Sequence, residues 1–155
     1  MRHYTTDSPE AMSRIVALAL LADGALDPRE IESLDKQAIL DKLGISHETL
    51  DRVTHEFCND LLQCARAPNV GQIELDHDLV GHLLDDLRTP EKQQQALAAI
   101  VDIVNADGCL NSGEAILIAE AMSRWGLELQ HVSRTEVRRA PLEVTDKAHA
   151  QQRAA

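Results

Sequence analysis

The chain has 155 residues, a length that fits one domain and is too short for two sizeable ones. Hydrophobic residues make up 44% of it, but tyrosine, phenylalanine and tryptophan occur once each, so an aliphatic core and an all-α fold are expected. The net charge of −11 argues against nucleic-acid binding, which relies on Lys and Arg, and suits divalent cations or basic protein surfaces better.

Capping residues mark the first three of about seven predicted helices. We expect these helices over residues 8–23, 27–43 and 46–65. The first has so broad an apolar face that we expect it to be central and covered on more than one side. Gly24 and Gly44 close the first two helices, because glycine readily adopts the left-handed conformation that ends a helix.

The second half of the chain is also predicted to be helical. Four more helices are predicted over 75–87, 89–105, 111–126 and 128–139. Residues 140–155 are polar, rich in alanine and glutamine and without an apolar period, which predicts a disordered tail after a single domain at 1–139.

Cysteine usage and hydropathy bear on location. The three cysteines are an odd number without a CxxC pair, and no basic-then-apolar signal sequence opens the chain. The longest apolar run, Ile15 to Ala22, is far shorter than the roughly 20 residues of a membrane helix. We therefore expect a cytoplasmic protein that does not insert into membranes.

An internal repeat is the most informative feature of the sequence. Residues 22–30 and 106–114 share the pattern Ala-Asp-Gly-x-Leu-(Asp/Asn)-x-x-Glu without a gap. Each copy follows a strongly apolar helix and precedes an amphipathic helix closed by glycine, so the similarity covers whole helix-turn-helix units. We expect two pseudo-symmetric units whose first helices pack together and whose turns lie on the same side.

Most residues of the repeat have a purely structural interpretation. They form capping boxes (Asp27 with Glu30, Asn111 with Glu114) and apolar staples that tuck each turn onto the core (Leu26, Leu110). Asp23 and Asp107 differ, because each places a carboxylate at a helix C-terminus, where the macrodipole disfavours an anion by up to about 1 kcal/mol. Either backbone N–H groups of the turn or a bound cation must compensate.

With these two motifs the chain resembles the tellurite-resistance TerB-like family, over about residues 8–130. The resemblance implies a non-enzymatic, pseudo-twofold helical domain of bacterial stress-response systems, with an acidic face that takes divalent cations, calcium in preference to zinc or magnesium. It implies ion ligands at six positions: Asp23, Asp27, Glu30, Asp107, Asn111 and Glu114. Asn111 stands in place of a carboxylate, so the second half-site is expected to be the poorer one.

An EF-hand does not fit the same residues, because its loop needs oxygen ligands at alternate positions. Asp23 is followed by Gly24 and Ala25 instead. A cation here would be held weakly by two turns brought together in space.

Two other clusters resemble metal sites only loosely. His55, Cys58 and Cys64 share one predicted helix but lack a second ligand pair at zinc-site spacing. The acidic stretch around His77 and His82 offers residues that do not share one helix face well. A solvated acidic face and ordinary buried cysteines explain these residues better than a metal does.

No catalytic motif is present: the sequence has no nucleophile elbow, phosphate loop or HExxH. Cys109 is the only candidate for a reactive thiol in the repeat, and its counterpart Ala25 favours a packing role. The leading hypothesis is therefore a cation-responsive interaction or scaffold protein in tellurite or oxyanion resistance, for which we expect protein partners and leave homodimerisation open. The alternative is a regulatory module like the helical domain fused to J-domain co-chaperones, which binds a partner helix without a metal.

Overall fold

The computed structural model describes residues 1–22, 36–64, 77–105 and 110–130, and within these ranges the chain forms six helices and no strand. The helices are α1 (Pro9–Ala22), α2 (Lys36–Leu43), α3 (His47–Cys64), α4 (His77–Leu84), α5 (Pro90–Asn105) and α6 (Ser112–Trp125). The all-α prediction is confirmed for this part of the chain. The predicted tail at 140–155 and most of the predicted seventh helix lie outside the described residues, and so do both Asp-Gly turns.

Helix α1 is the centre of the domain. All ten residues from Ala11 to Leu20 are buried, which is possible only for a helix covered on every side. It packs against α3, α4, α5 and α6. The expectation of a central first helix is confirmed, and α5 is one of the helices in contact with it.

The remaining helices each bury one apolar face against this centre. In α3 the buried residues recur at helical spacing, as Leu50, Val53, Phe57 and Leu61. Helix α4 packs on α6, α5 packs on α6, and α2 packs on α5. The result is one continuous aliphatic core that includes residues of all six helices.

The helix ends follow the predicted capping chemistry. Oγ of Ser8 accepts a hydrogen bond from the amide of Ala11 at 3.1 Å, and Oγ of Ser46 accepts one from the amide of Thr49 at 3.1 Å. Gly44 and Gly126 have φ of 66° and 62°, the left-handed conformation expected of residues that end helices.

The start of α5 receives support that local sequence did not predict. The carboxylate of Asp7, a residue with φ of 60°, accepts hydrogen bonds from the amides of Arg88 and Thr89 at 2.8 and 3.1 Å. It also accepts one from the Thr89 hydroxyl at 2.7 Å. The segment before α1 is therefore tied to the turn before α5.

Candidate functional site

Two of the six predicted ion ligands, Asn111 and Glu114, lie within the described residues. The other four lie outside them: Asp23, Asp27, Glu30 and Asp107. The structure therefore describes the boundaries of the repeated motifs, namely the end of α1, the end of α5 and the start of α6.

Asn111 and Glu114 form the predicted capping box at the start of α6. The amide of Glu114 donates to Oδ1 of Asn111 at 3.0 Å, and the amide of Asn111 donates to Oε2 of Glu114 at 2.7 Å. The reciprocal bonds satisfy two amides that the helix itself cannot pair. Glu114 is completely buried, so its carboxylate acts inside the fold, next to the positive end of the α6 dipole.

Asn111 also links the two repeats. Its side-chain Nδ2 donates to the backbone carbonyl of Ala22 at 3.0 Å. Ala22 is the last residue of α1 and the first residue of the first motif. The second motif therefore contacts the first at this point, which we call the motif junction and define as Ala22, Asn111 and Glu114.

The geometry of the motif junction gives a reason for asparagine at position 111. An amide side chain both accepts and donates, so Asn111 can cap α6 and bind the Ala22 carbonyl at once. An aspartate would keep the cap but would place a carboxylate against the negative end of α1. The contact with the first repeat thus gives a reason why position 111 carries an asparagine where the first copy carries an aspartate.

The helices that lead into the two motifs share an electrostatic feature. Neither α1 nor α5 has a basic residue in its last turn, a property that α3 shares, whereas α2, α4 and α6 end with Lys42, His82 and Arg124. The carbonyl ends of α1 and α5 therefore lack a basic side chain of their own helix to balance the dipole. An aspartate follows each of these two ends in sequence, which adds negative charge there.

Leu110 contradicts the staple interpretation. The prediction placed its side chain on the core, but 63% of the residue is exposed. The prediction was wrong because capping at Asn111 is complete through polar contacts and does not require an apolar anchor at the preceding residue.

Two residues of the other metal-like clusters, His77 and Cys58, have described surroundings. His77 Nδ1 lies 2.9 Å from Glu120 Oε1, and the hydrogen bond with His77 lowers the pKa of the Glu120 carboxyl. Burial raises the pKa of the Cys58 thiol, which disfavours the thiolate form that binds metals. Within the described ranges, no three His, Cys, Asp or Glu side chains are placed to hold a metal ion.

A second polar site was missed by the sequence analysis. The guanidinium of Arg14 is buried within α1, at 3% exposure, and pairs with Asp86. It lies under the segment before α1, with its central carbon 4.8 Å from the centre of the Tyr4 ring. The signal was available, because Arg14 is the one charged residue of the apolar stretch from Ala11 to Ala22.

Comparison of the chain with protein-family models, with curated proteins and with solved structures finds no match in any of the three. Among the described helices, none is both long and apolar enough to cross a membrane. The arguments about function therefore depend on the residues and contacts described above.

Proposed function

We propose that the chain is a TerB-like helical interaction domain without chemistry of its own, whose stability and partner binding respond to a divalent cation held between the two Ala-Asp-Gly motifs. In this proposal the protein is cytoplasmic, binds other proteins and serves in stress resistance, such as resistance to tellurite or other oxyanions. The single observation that carries the proposal is the hydrogen bond from Asn111 to Ala22, because it brings the second motif against the first.

Charge at the motif junction supports a cation rather than an anion. Two helix C-termini without a basic residue in their last turns lead into Asp23 and Asp107, in a chain of net charge −11. A divalent cation would offset the repulsion between these carboxylates and the helix dipoles. Carboxylate and carbonyl oxygens favour calcium over zinc, which prefers nitrogen and sulfur ligands.

The proposed mechanism starts from the position of the motif junction in the fold. The motif junction joins the end of the central helix α1 to the start of α6. An ion bound by both turns would lock these two helices together and stabilise the native arrangement by mass action. In this proposal the position of α6 relative to α1 depends on the ion, so a partner that contacts α6 binds only the ion-bound form.

Isothermal titration calorimetry with calcium, magnesium and zinc tests the proposal on the full chain. We expect calcium to bind the wild-type protein, Asp23→Asn and Asp107→Asn to abolish binding, and Asn111→Asp, which adds a carboxylate, to strengthen it. Asp51→Asn removes the same charge at an exposed position of α3, outside the motifs, and should leave binding unchanged.

Absence of calcium binding to the wild-type chain would refute the cation and favour the metal-free module that binds a partner helix. Binding that survives both Asp23→Asn and Asp107→Asn would place the ion outside the motifs.

A further inference from the structure

The segment before α1 lies across the bundle as an extended strap. We define the N-terminal strap as residues 1–8, which form no regular helix or strand. The backbone amide of Arg2 donates to Asp60 Oδ2 of α3 at 2.7 Å, and the hydroxyl of Tyr4 donates to Glu56 Oε2 of the same helix at 2.5 Å. At its far end the strap is held by Asp7 and the turn before α5.

Arg14 is the part of α1 that the strap covers. Its Nη1 donates to the backbone carbonyl of Arg2 at 2.6 Å, its Nη2 pairs with Asp86, and its guanidinium faces the Tyr4 ring. A buried arginine is favourable only when its donors are all satisfied. Among the described residues, nothing accepts a hydrogen bond from Nε of Arg14, which is nevertheless buried.

The incomplete pairing of Arg14 shows that the strap is an imperfect cover. A buried donor without an acceptor loses the hydrogen bonds it would make with water. A segment that offered an acceptor to Nε would pair a donor that residues 1–6 leave unpaired. The groove that the strap fills between α1 and α3 is therefore lined by polar groups that the strap does not fully pair.

The contacts that hold residues 1–6 of the strap are few. They are single hydrogen bonds and an ion pair in which the Arg2 side chain is 46% exposed, while its partner Asp60 is buried. Residues 2–7 include no aliphatic side chain larger than threonine, so the partly buried Tyr4 ring is their main apolar anchor on the core. A segment held in this way detaches at a lower free energy than the helices beneath it.

We propose that the groove bounded by Arg14, Glu56 and Asp60 binds an extended segment of a partner protein, and that residues 1–6 occupy this groove in cis until the partner displaces them. The groove recognises backbone groups through Asp60 and Arg14, and it recognises an aromatic hydroxyl through Glu56. The partner segment should therefore resemble the strap, with a basic residue two positions before a tyrosine. Arg14 lies two turns of α1 from Ala22, so this site is independent of the proposed cation site.

A labelled peptide tests the proposal on the full-length protein. The probe is a synthetic peptide of residues 1–6 with a fluorophore at its C-terminal end, and fluorescence anisotropy measures its binding. Replacing Arg2 and Tyr4 together by alanine loosens the strap but leaves the groove intact. His3→Ala, an exposed change in the same strap, is the matched control.

We expect the double variant to bind the peptide at least tenfold more tightly than the wild type or the His3→Ala control. The same peptide with its tyrosine replaced by alanine should lose this binding. Equal binding by all three proteins, binding that ignores the tyrosine, or no binding by the double variant at millimolar peptide would each overturn the proposal.

The chain's only tyrosine supplies a second readout that needs no change to the strap. Burial and the hydrogen bond with Glu56 raise the pKa of Tyr4 to about 12. Absorbance of the phenolate in rapid pH jumps should give this pKa in the wild type and a lower one in Glu56→Gln. Glu48→Gln, exposed on the same helix, should match the wild type. A wild-type phenol that ionises near its ordinary pKa would show that the strap is not seated, and would overturn the proposal.

Discussion

Replacement of Asn111 tests the contact that joins the two repeats. In Asn111→Ala, loss of the cap on α6 costs about 1 kcal/mol. Leaving the Ala22 carbonyl without its donor costs about 1 kcal/mol more. The free energy of unfolding should therefore fall by about 2 kcal/mol, which lowers Tm by about 4–8 °C in a chain of this length.

Asn111→Asp separates the two contributions. Aspartate caps a helix as well as asparagine does, so the amide of Glu114 keeps its acceptor. The side chain can no longer donate to Ala22, and this variant should lose about 1 kcal/mol in ion-free buffer, half the loss of the alanine variant. Ser46→Ala provides a control for the cap alone, because Ser46 is an exposed cap at the start of α3 and no hydrogen bond joins it to α1.

Urea unfolding monitored by circular dichroism at neutral pH, with a chelator present, measures all three variants. An Asn111→Ala variant that loses no more stability than Ser46→Ala would show that the contact with Ala22 contributes nothing. An Asn111→Asp variant as stable as the wild type would contradict the same reasoning.

Three further predictions concern the strap and the contact of α4 with α6. Asp7→Asn should lower stability at neutral pH by about 1 kcal/mol, because it weakens the hydrogen bonds to the start of α5. Burial acts to raise the pKa of Asp7, but hydrogen bonds from Thr89 and neighbouring amides lower it. Wild-type stability should therefore fall as acid protonates this carboxyl below about pH 4, and the stability of Asp7→Asn should fall less. The folded protein holds the Tyr4 phenol neutral up to about pH 12, whereas the unfolded chain ionises it near pH 10, so stability should fall between these values. Tyr4→Phe should abolish this part of the alkaline loss of stability. Gly81→Ala should change stability by less than about 1 kcal/mol, because the added methyl group displaces only the flexible tip of Arg124 while the helix gains propensity.

Chemical unfolding across pH measures these variants, and each prediction has a contrary result. If the stability of Asp7→Asn falls as steeply with acid as that of the wild type, Asp7 does not contribute to the acid sensitivity. If the stability of Tyr4→Phe falls with rising pH as it does in the wild type, the phenol does not contribute to the alkaline sensitivity. A loss above about 2 kcal/mol in Gly81→Ala would mean that Arg124 cannot move aside.

The sequence was sufficient for those features that depend on neighbouring residues. The buried length of α1 follows from its broad apolar face, and the cap of α6 follows from the three-residue spacing of Asn111 and Glu114. Gly126 ends α6 in the left-handed conformation as its position predicted. In each case the interacting groups lie within about two helical turns.

Features that depend on distant residues were not predictable in this way. The bond from Asn111 to Ala22 joins residues 89 positions apart, and the bonds from Asp7 to Thr89 span 82. Local spacing carries no information about such pairs. Leu110 was mispredicted for a different reason, because the polar capping box of α6 forms without an apolar contact from the residue before it.

The central claim, a divalent cation shared by the two motifs, is tested most directly by heat-induced unfolding of the full chain. Differential scanning calorimetry with either a chelator or about 10 mM calcium, tenfold above a weak Kd of about 1 mM, should show about 1.4 kcal/mol of stabilisation. That stabilisation corresponds to a rise in Tm of about 3–6 °C. We predict this rise in the wild type and in Asp51→Asn, and its absence in Asp23→Asn. A wild-type Tm that does not respond to calcium, or a response that survives Asp23→Asn, would contradict the account.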